Sequence, residues 1–125
     1  MMPKLPRGFT IVELIVVISA IAILAALVIF GFGSWRTSIA TTEMKNELVN
    51  AASAIKMYKN VNSAFPVALS NIPYAPNANV TLSYVVRGGG GGSYCLDAGS
   101  TVVTSAAHYY LDSNISLTPT TTACS

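Results

Sequence analysis

The sequence predicts an α+β protein. A long N-terminal α-helix, transmembrane in its first half and amphipathic in its second, packs on a small antiparallel β-sheet head. Three observations predict this. Leu14 to Gly33 is an unbroken run without a charged residue. Met44, Leu48, Ala51, Ile55 and Tyr58 then recur at i, i+4, i+7, i+11 and i+14, one stripe of a helix. From Val80 onward the pattern changes to β-branched and aromatic runs separated by Gly, Pro and Asn.

The composition agrees. Hydrophobic residues make up 52% of the 125 positions and charged residues 10%. Ordinary soluble domains carry about 25% charged residues, so much of this chain avoids water. The net charge of +2 at pH 7 comes from Lys4 and Arg7; elsewhere basic and acidic residues cancel. A nucleic-acid surface needs clustered Lys and Arg, and no nucleic-acid partner is inferred.

The first element is the apolar run. It is rich in Ile, Val, Leu and Ala, and Ser19 is its only clearly polar residue. About 20 helical residues cross the ~30 Å hydrocarbon core of a bilayer. A strand of this length and uniform apolarity would be unusual. The expected span is therefore a transmembrane helix over residues 9–33, beginning near Phe9. Lys4 and Arg7 before it, against Arg36 after it, give a small positive-inside bias toward a cytoplasmic N-terminus. An ordinary secretory signal shares the basic start, and Gly31-Phe32-Gly33 spells a small-x-small cleavage pattern. Its apolar core would be about 7–15 residues, and it gains nothing from Glu13. A carboxylate among lipid-facing residues is costly and usually has a partner. No cation lies nearby in the run, so the partner is expected from another copy or from processing.

The helix continues through residues 34–60. Lys45, Asn46, Ser53, Lys56 and Asn60 fall largely opposite the apolar stripe, which is expected to lie on the head. Trp35 and Ile39 point elsewhere. The helix should end between Asn60 and Asn62, ahead of Phe65-Pro66.

The head is expected over residues 61–125. Pro66 to Asn79 holds three prolines and reads as an irregular connecting loop packed on the surface. Val80–Val86, Ser93–Ala98 and Ala107–Ser113 are the strand candidates. Gly88–Gly92 between the first two reads as a hairpin loop; a phosphate loop would need Gly-Lys-Ser/Thr and a following helix. The Thr-rich end reads either as a glycosylated segment or as a merely polar, exposed one. A head this size is small for a self-sufficient core. Cys95 and Cys124 belong to no C-x-x-C pair. They form a disulfide if the head is exported and stay as thiols in a cytoplasmic chain.

The chemistry of an enzyme is missing from the pattern. His108 is the single histidine, and Asp97 and Asp112 are the only carboxylates of the head. No G-x-S-x-G context supports a Ser/His/Asp set, and the carboxylate spacing does not support calcium. No enzyme activity, metal or cofactor is expected.

Basic residues, Gly8, then Phe9-Thr10-Ile11-Val12-Glu13 and a long apolar helix resemble the class III signal of type IV prepilins and of type II secretion pseudopilins. The resemblance covers about the first 35 residues. It implies a leader of residues 1–8, cut between Gly8 and Phe9 by a prepilin peptidase, with methylation of the new Phe9 amine. It implies that Glu13 serves assembly by neutralising that amine, in a neighbouring copy or in its own. It also implies a pilin-like fold, and a C-terminal disulfide between Cys95 and Cys124 agrees with it. The function implied is a structural subunit of a type IV pilus-like filament for adhesion, motility or DNA uptake. A pseudopilin of type II secretion and a non-polymerising anchored or secreted binding module are the alternatives. The partners implied are further copies of the chain, the peptidase, the assembly ATPase with its membrane platform, and lipid before assembly. The localisation implied is a single-pass precursor in the cytoplasmic membrane with its head outside, then an extracellular pilus. One departure stands out: many pilins carry a proline midway along the apolar helix, and none occurs here between Phe9 and Asn60.

Overall fold

The computed structural model describes residues 2–3, 8–88 and 92–124. Lys4 and Arg7 of the expected leader, Gly89, Gly90 and Gly91 of the glycine loop, and Ser125 lie outside the described residues. The chain divides into two units, Met1–Trp35 and Arg36–Ser125. One helix, α1 (Ile11–Asn62), contributes to both.

In the first unit α1 is apolar on every side and none of its most apolar window is buried. It is long and apolar enough to cross a membrane. Ser19 donates its hydroxyl to the Ile15 carbonyl at 2.7 Å, so the one polar side chain of the run is satisfied within the helix. The helix runs through Gly31 and Gly33 without a break. With no proline, nothing removes a backbone donor there. Phe32 and Trp35 place their rings 5.5 Å apart on the exposed surface.

In the second unit the expected stripe is the buried face of α1. Met44, Leu48, Ala51 and Ile55 are fully buried, and Ala40 extends the row by one turn. Tyr58 is partly buried against the same core, while Trp35 and Ile39 are exposed. The helix ends at Asn62 as its spacing predicts. Ser63 takes a left-handed conformation, φ 60°, and donates its N–H to the Lys59 carbonyl at 2.8 Å. This is the turn that closes many helices, here made without glycine.

Four strands follow, β1 (Val80–Arg87), β2 (Ser93–Ser100), β3 (Tyr109–Asp112) and β4 (Ser116–Thr120). They form an antiparallel meander in the order β1-β2-β3-β4. Tyr94, Leu96 and Ala98 of β2 and Leu111 of β3 belong to one buried cluster with the helix stripe. Alternation sends Cys95, Asp97 and Gly99 to the other face of β2. That face is covered too. The Cys95–Cys124 disulfide shields one end, and the His108 ring lies over Gly99, where an added Cβ would meet ring carbon Cε1 at 2.9 Å. Hence β2 is buried along most of its length. The β1–β2 hairpin opens at Gly88, whose φ of 72° favours glycine.

Two segments flank the strand runs. The C-terminal segment is more than a polar exposed end, because residues 116–120 form β4. Pro119 argues against a strand in sequence. At the sheet edge its missing N–H costs no ladder bond, and a register shift between Tyr110 and Asp112 accommodates the segment. The connection between α1 and β1 is an irregular segment packed on the surface of the core. Pro66 and Ile72 are buried, and Leu69–Asn71 make one 3-10 turn. Phe65 packs its ring edge-on against Tyr94 at 5.1 Å, and Tyr84 donates its hydroxyl to the Pro66 carbonyl at 2.8 Å. Tyr74 hydrogen-bonds the Glu47 carboxylate of α1. The segment thus caps one end of the core.

Asp112 is the one buried carboxylate among the described residues. A buried charge needs a partner, and Arg87 supplies it, Nη1 to Oδ2 at 3.1 Å. The other oxygen, Oδ1, accepts the Asn114 N–H at 2.9 Å and shapes the β3–β4 turn.

Candidate functional site

The candidate site is the start of α1. Gly8, Phe9 and Thr10 precede the first helical residue and are exposed. The Gly8–Phe9 bond therefore lies outside the helix, where its carbonyl is not bound into an intrahelical ladder. A side chain at Gly8 would meet nothing within 4 Å. Packing inside this chain gives no reason for glycine there.

Thr10 sets the boundary. It is the N-cap of α1, and with Glu13 it forms a capping box. The Thr10 hydroxyl accepts the Glu13 N–H at 3.2 Å. In return Glu13 Oε2 accepts the Thr10 N–H at 3.1 Å and the Thr10 hydroxyl at 3.2 Å. Two backbone donors that a helix start leaves unpaired are thereby satisfied. The carboxylate also sits at the positive end of the helix dipole. This explains why the helix begins at Ile11 and not at the expected Phe9.

Glu13 thus has a partner in its own chain that the sequence reading did not count. The signal was present: Thr10-x-x-Glu13 directly ahead of an apolar run is a capping-box pattern. Among the described residues Oε1 of Glu13 accepts no hydrogen bond, so the carboxylate is oriented by one oxygen and open at the other. Such a group can receive a cation without giving up its cap.

Residues 4–33 match the family model described as the prokaryotic N-terminal methylation motif. This segment is similar to the class III signal of type IV pilins and pseudopilins. The match takes in Gly8, Phe9, Thr10 and Glu13 with the apolar run, and ends before the head. No curated protein and no solved structure matches the chain. The match supports reading the N-terminal segment as that of a type IV pilin or pseudopilin. The apolar helix fits a membrane-anchored precursor.

The other predicted residues lie in the head. Cys95 and Cys124 are joined in a disulfide with their Cα atoms 6.2 Å apart. It ties the segment after β4 to the central strand β2. His108 Nδ1 lies 2.9 Å from Asp97 Oδ1 at the sheet surface. Among the described residues no serine hydrogen-bonds to this pair, and its packing role over Gly99 is the one the geometry supports.

Proposed function

We propose that the chain is a structural subunit of a type IV pilus-like filament. The observation that carries this is the pairing of an apolar helix with no buried window and a single carboxylate, half engaged, at its first turn. Such a helix needs lipid before assembly and neighbouring helices afterwards. A peptidase would hydrolyse the Gly8–Phe9 bond, leaving a carboxylate on Gly8 and an ammonium on Phe9. The cut falls ahead of the apolar run, so the helix is retained as 9–33, continues through 34–60, and carries the head of 61–125.

The new ammonium, methylated, stands in largely apolar surroundings where an unpaired charge is strongly unfavourable. The open Oε1 of Glu13 in an adjacent copy neutralises it. The contact fixes register more than it adds stability, since both charges leave water to form it. Head-to-tail repetition of one contact with a rotation that does not close gives a helical polymer.

Mass spectrometry of the mature N-terminus tests the reading. An N-methylated Phe9 start is expected; a product beginning after Gly33 would remove the assembly helix and defeat it. Glu13→Ala is expected to leave cleavage largely intact and to impair assembly. Normal filaments from that variant would refute the docking role. Surface filaments seen by electron microscopy, lost on deletion of the gene, are expected of a pilus and not of a short periplasmic pseudopilus.

A further inference from the structure

The head leaves charges unmatched on two opposite flanks. Most of its ionic groups have partners within the chain. Asp112 pairs with Arg87, Asp97 with His108, and Glu47 with Tyr74. Lys45 lies over the Tyr109 ring at 4.8 Å. Among the described residues the side chains of Arg36, Glu43 and Lys56 have no ion pair or hydrogen bond, and that of Lys59 has only the face of Phe65, 4.0 Å from its Nζ.

These groups sit in different settings. Lys56 and Lys59 rim a groove of about 500 Å³ between α1 and the sheet, floored by Phe65 and Tyr94 and edged by Val49 and Leu117. The volume is that of a ligand-sized site, and Val49 and Leu117 are 46% and 61% exposed. Glu43 lies on a shallower hollow with Ile39 and Val102, 40% and 49% exposed, and with Arg36 two turns earlier on α1. At 100° and 1.5 Å per residue, Glu43 and Lys56 are about 140° apart around the axis and about 20 Å apart along it. They cannot meet within one molecule.

We propose that the Lys56–Lys59 groove receives the Glu43 flank of a second copy of this chain. The Glu43 carboxylate, in a hollow it shares with Ile39, Val102 and the Arg36 guanidinium, then meets two ammonium groups with aliphatic and aromatic neighbours. The contact is heterologous: each copy offers a groove on one flank and a carboxylate on the other, displaced along the helix. Repetition gives an open polymer, not a closed dimer. The inference rests on the filament reading and assigns its head-to-head contact. Desolvated charge pairs at such interfaces fix partner and register.

The test uses filaments from cells making the full chain. Zero-length carbodiimide cross-linking followed by peptide mass spectrometry should join Glu43 to Lys56 or Lys59. Because the two sites lie on opposite faces of one helix, such a link reports two copies. Glu43→Lys alone, or Lys56→Glu with Lys59→Glu, should lower filament yield at least tenfold, and the combined swap should recover most of it. Filaments that form normally with either reversal, or that cross-link Lys56 and Lys59 only to other carboxylates, overturn the contact and leave the filament reading standing. Correctly processed wild-type chain that never forms filaments overturns both.

Discussion

Loss of the Cys95–Cys124 bridge should weaken the head by an amount that follows from its span. The two residues are 29 apart in sequence. In the chain-entropy model, closing a loop of this length removes about 12 cal/mol/K from the unfolded ensemble, about 3.6 kcal/mol at 25 °C. Cys124→Ser is the better variant. Cys95 is buried on the central strand, so truncating it would add a packing loss to the entropic one. All six tyrosines lie in the second unit and the one tryptophan, Trp35, in the first, so near-ultraviolet circular dichroism of the full chain carrying Trp35→Phe, in detergent micelles, reports on the second unit. With a urea slope of about 1–1.5 kcal/mol/M for a domain of this size, the midpoint should fall by about 2.5–3.5 M. Reduction of the wild type should reproduce the shift. A change below about 0.5 M would refute the reasoning. It would mean that pairing of β4 with β3 already restrains the C-terminal segment in both states, leaving the covalent link little to add.

Two further outcomes follow from the core and its tyrosines. Leu48→Ala removes a fully buried side chain from the helix stripe and should cost about 2–5 kcal/mol, measured by the same urea titration; Val49→Ala, on the exposed side, should cost far less. Burial, reinforced by nearby Tyr94, pushes the Tyr84 phenol from 10.0 up to about 12. Burial also raises Tyr94, and burial with the Glu47 hydrogen bond raises Tyr74. These phenols are held neutral by the fold. Their contribution is complete below pH 10, the ordinary value; that of Tyr84 is lost as pH climbs through about 12, and those of Tyr94 and Tyr74 are lost as pH rises through their own raised values. Alkaline titration should show these three ionising only as the head unfolds. Phenolate absorbance for all six tyrosines near pH 10, with the circular dichroism unchanged, would contradict this.

Residues close in sequence determined much of this protein. The Met44–Ile55 stripe is legible because a helix repeats every few residues and its buried face leaves a period, the apolar run by its length and lack of charge, and the three strand runs by their β-branched and aromatic content. The Thr10–Glu13 box was equally local, though it is read only when the threonine is counted with the acid. Tertiary structure alone decided the rest. A five-residue run containing Pro119 becomes a strand because it falls on a sheet edge, where the missing donor faces no partner. Glu47 meets Tyr74, and Arg87 meets Asp112, because folding brings together groups 27 and 25 positions apart. No short-range pattern encodes such pairs. They are selected by the geometry of the packed core, which leaves a buried charge only where an opposite one can reach it.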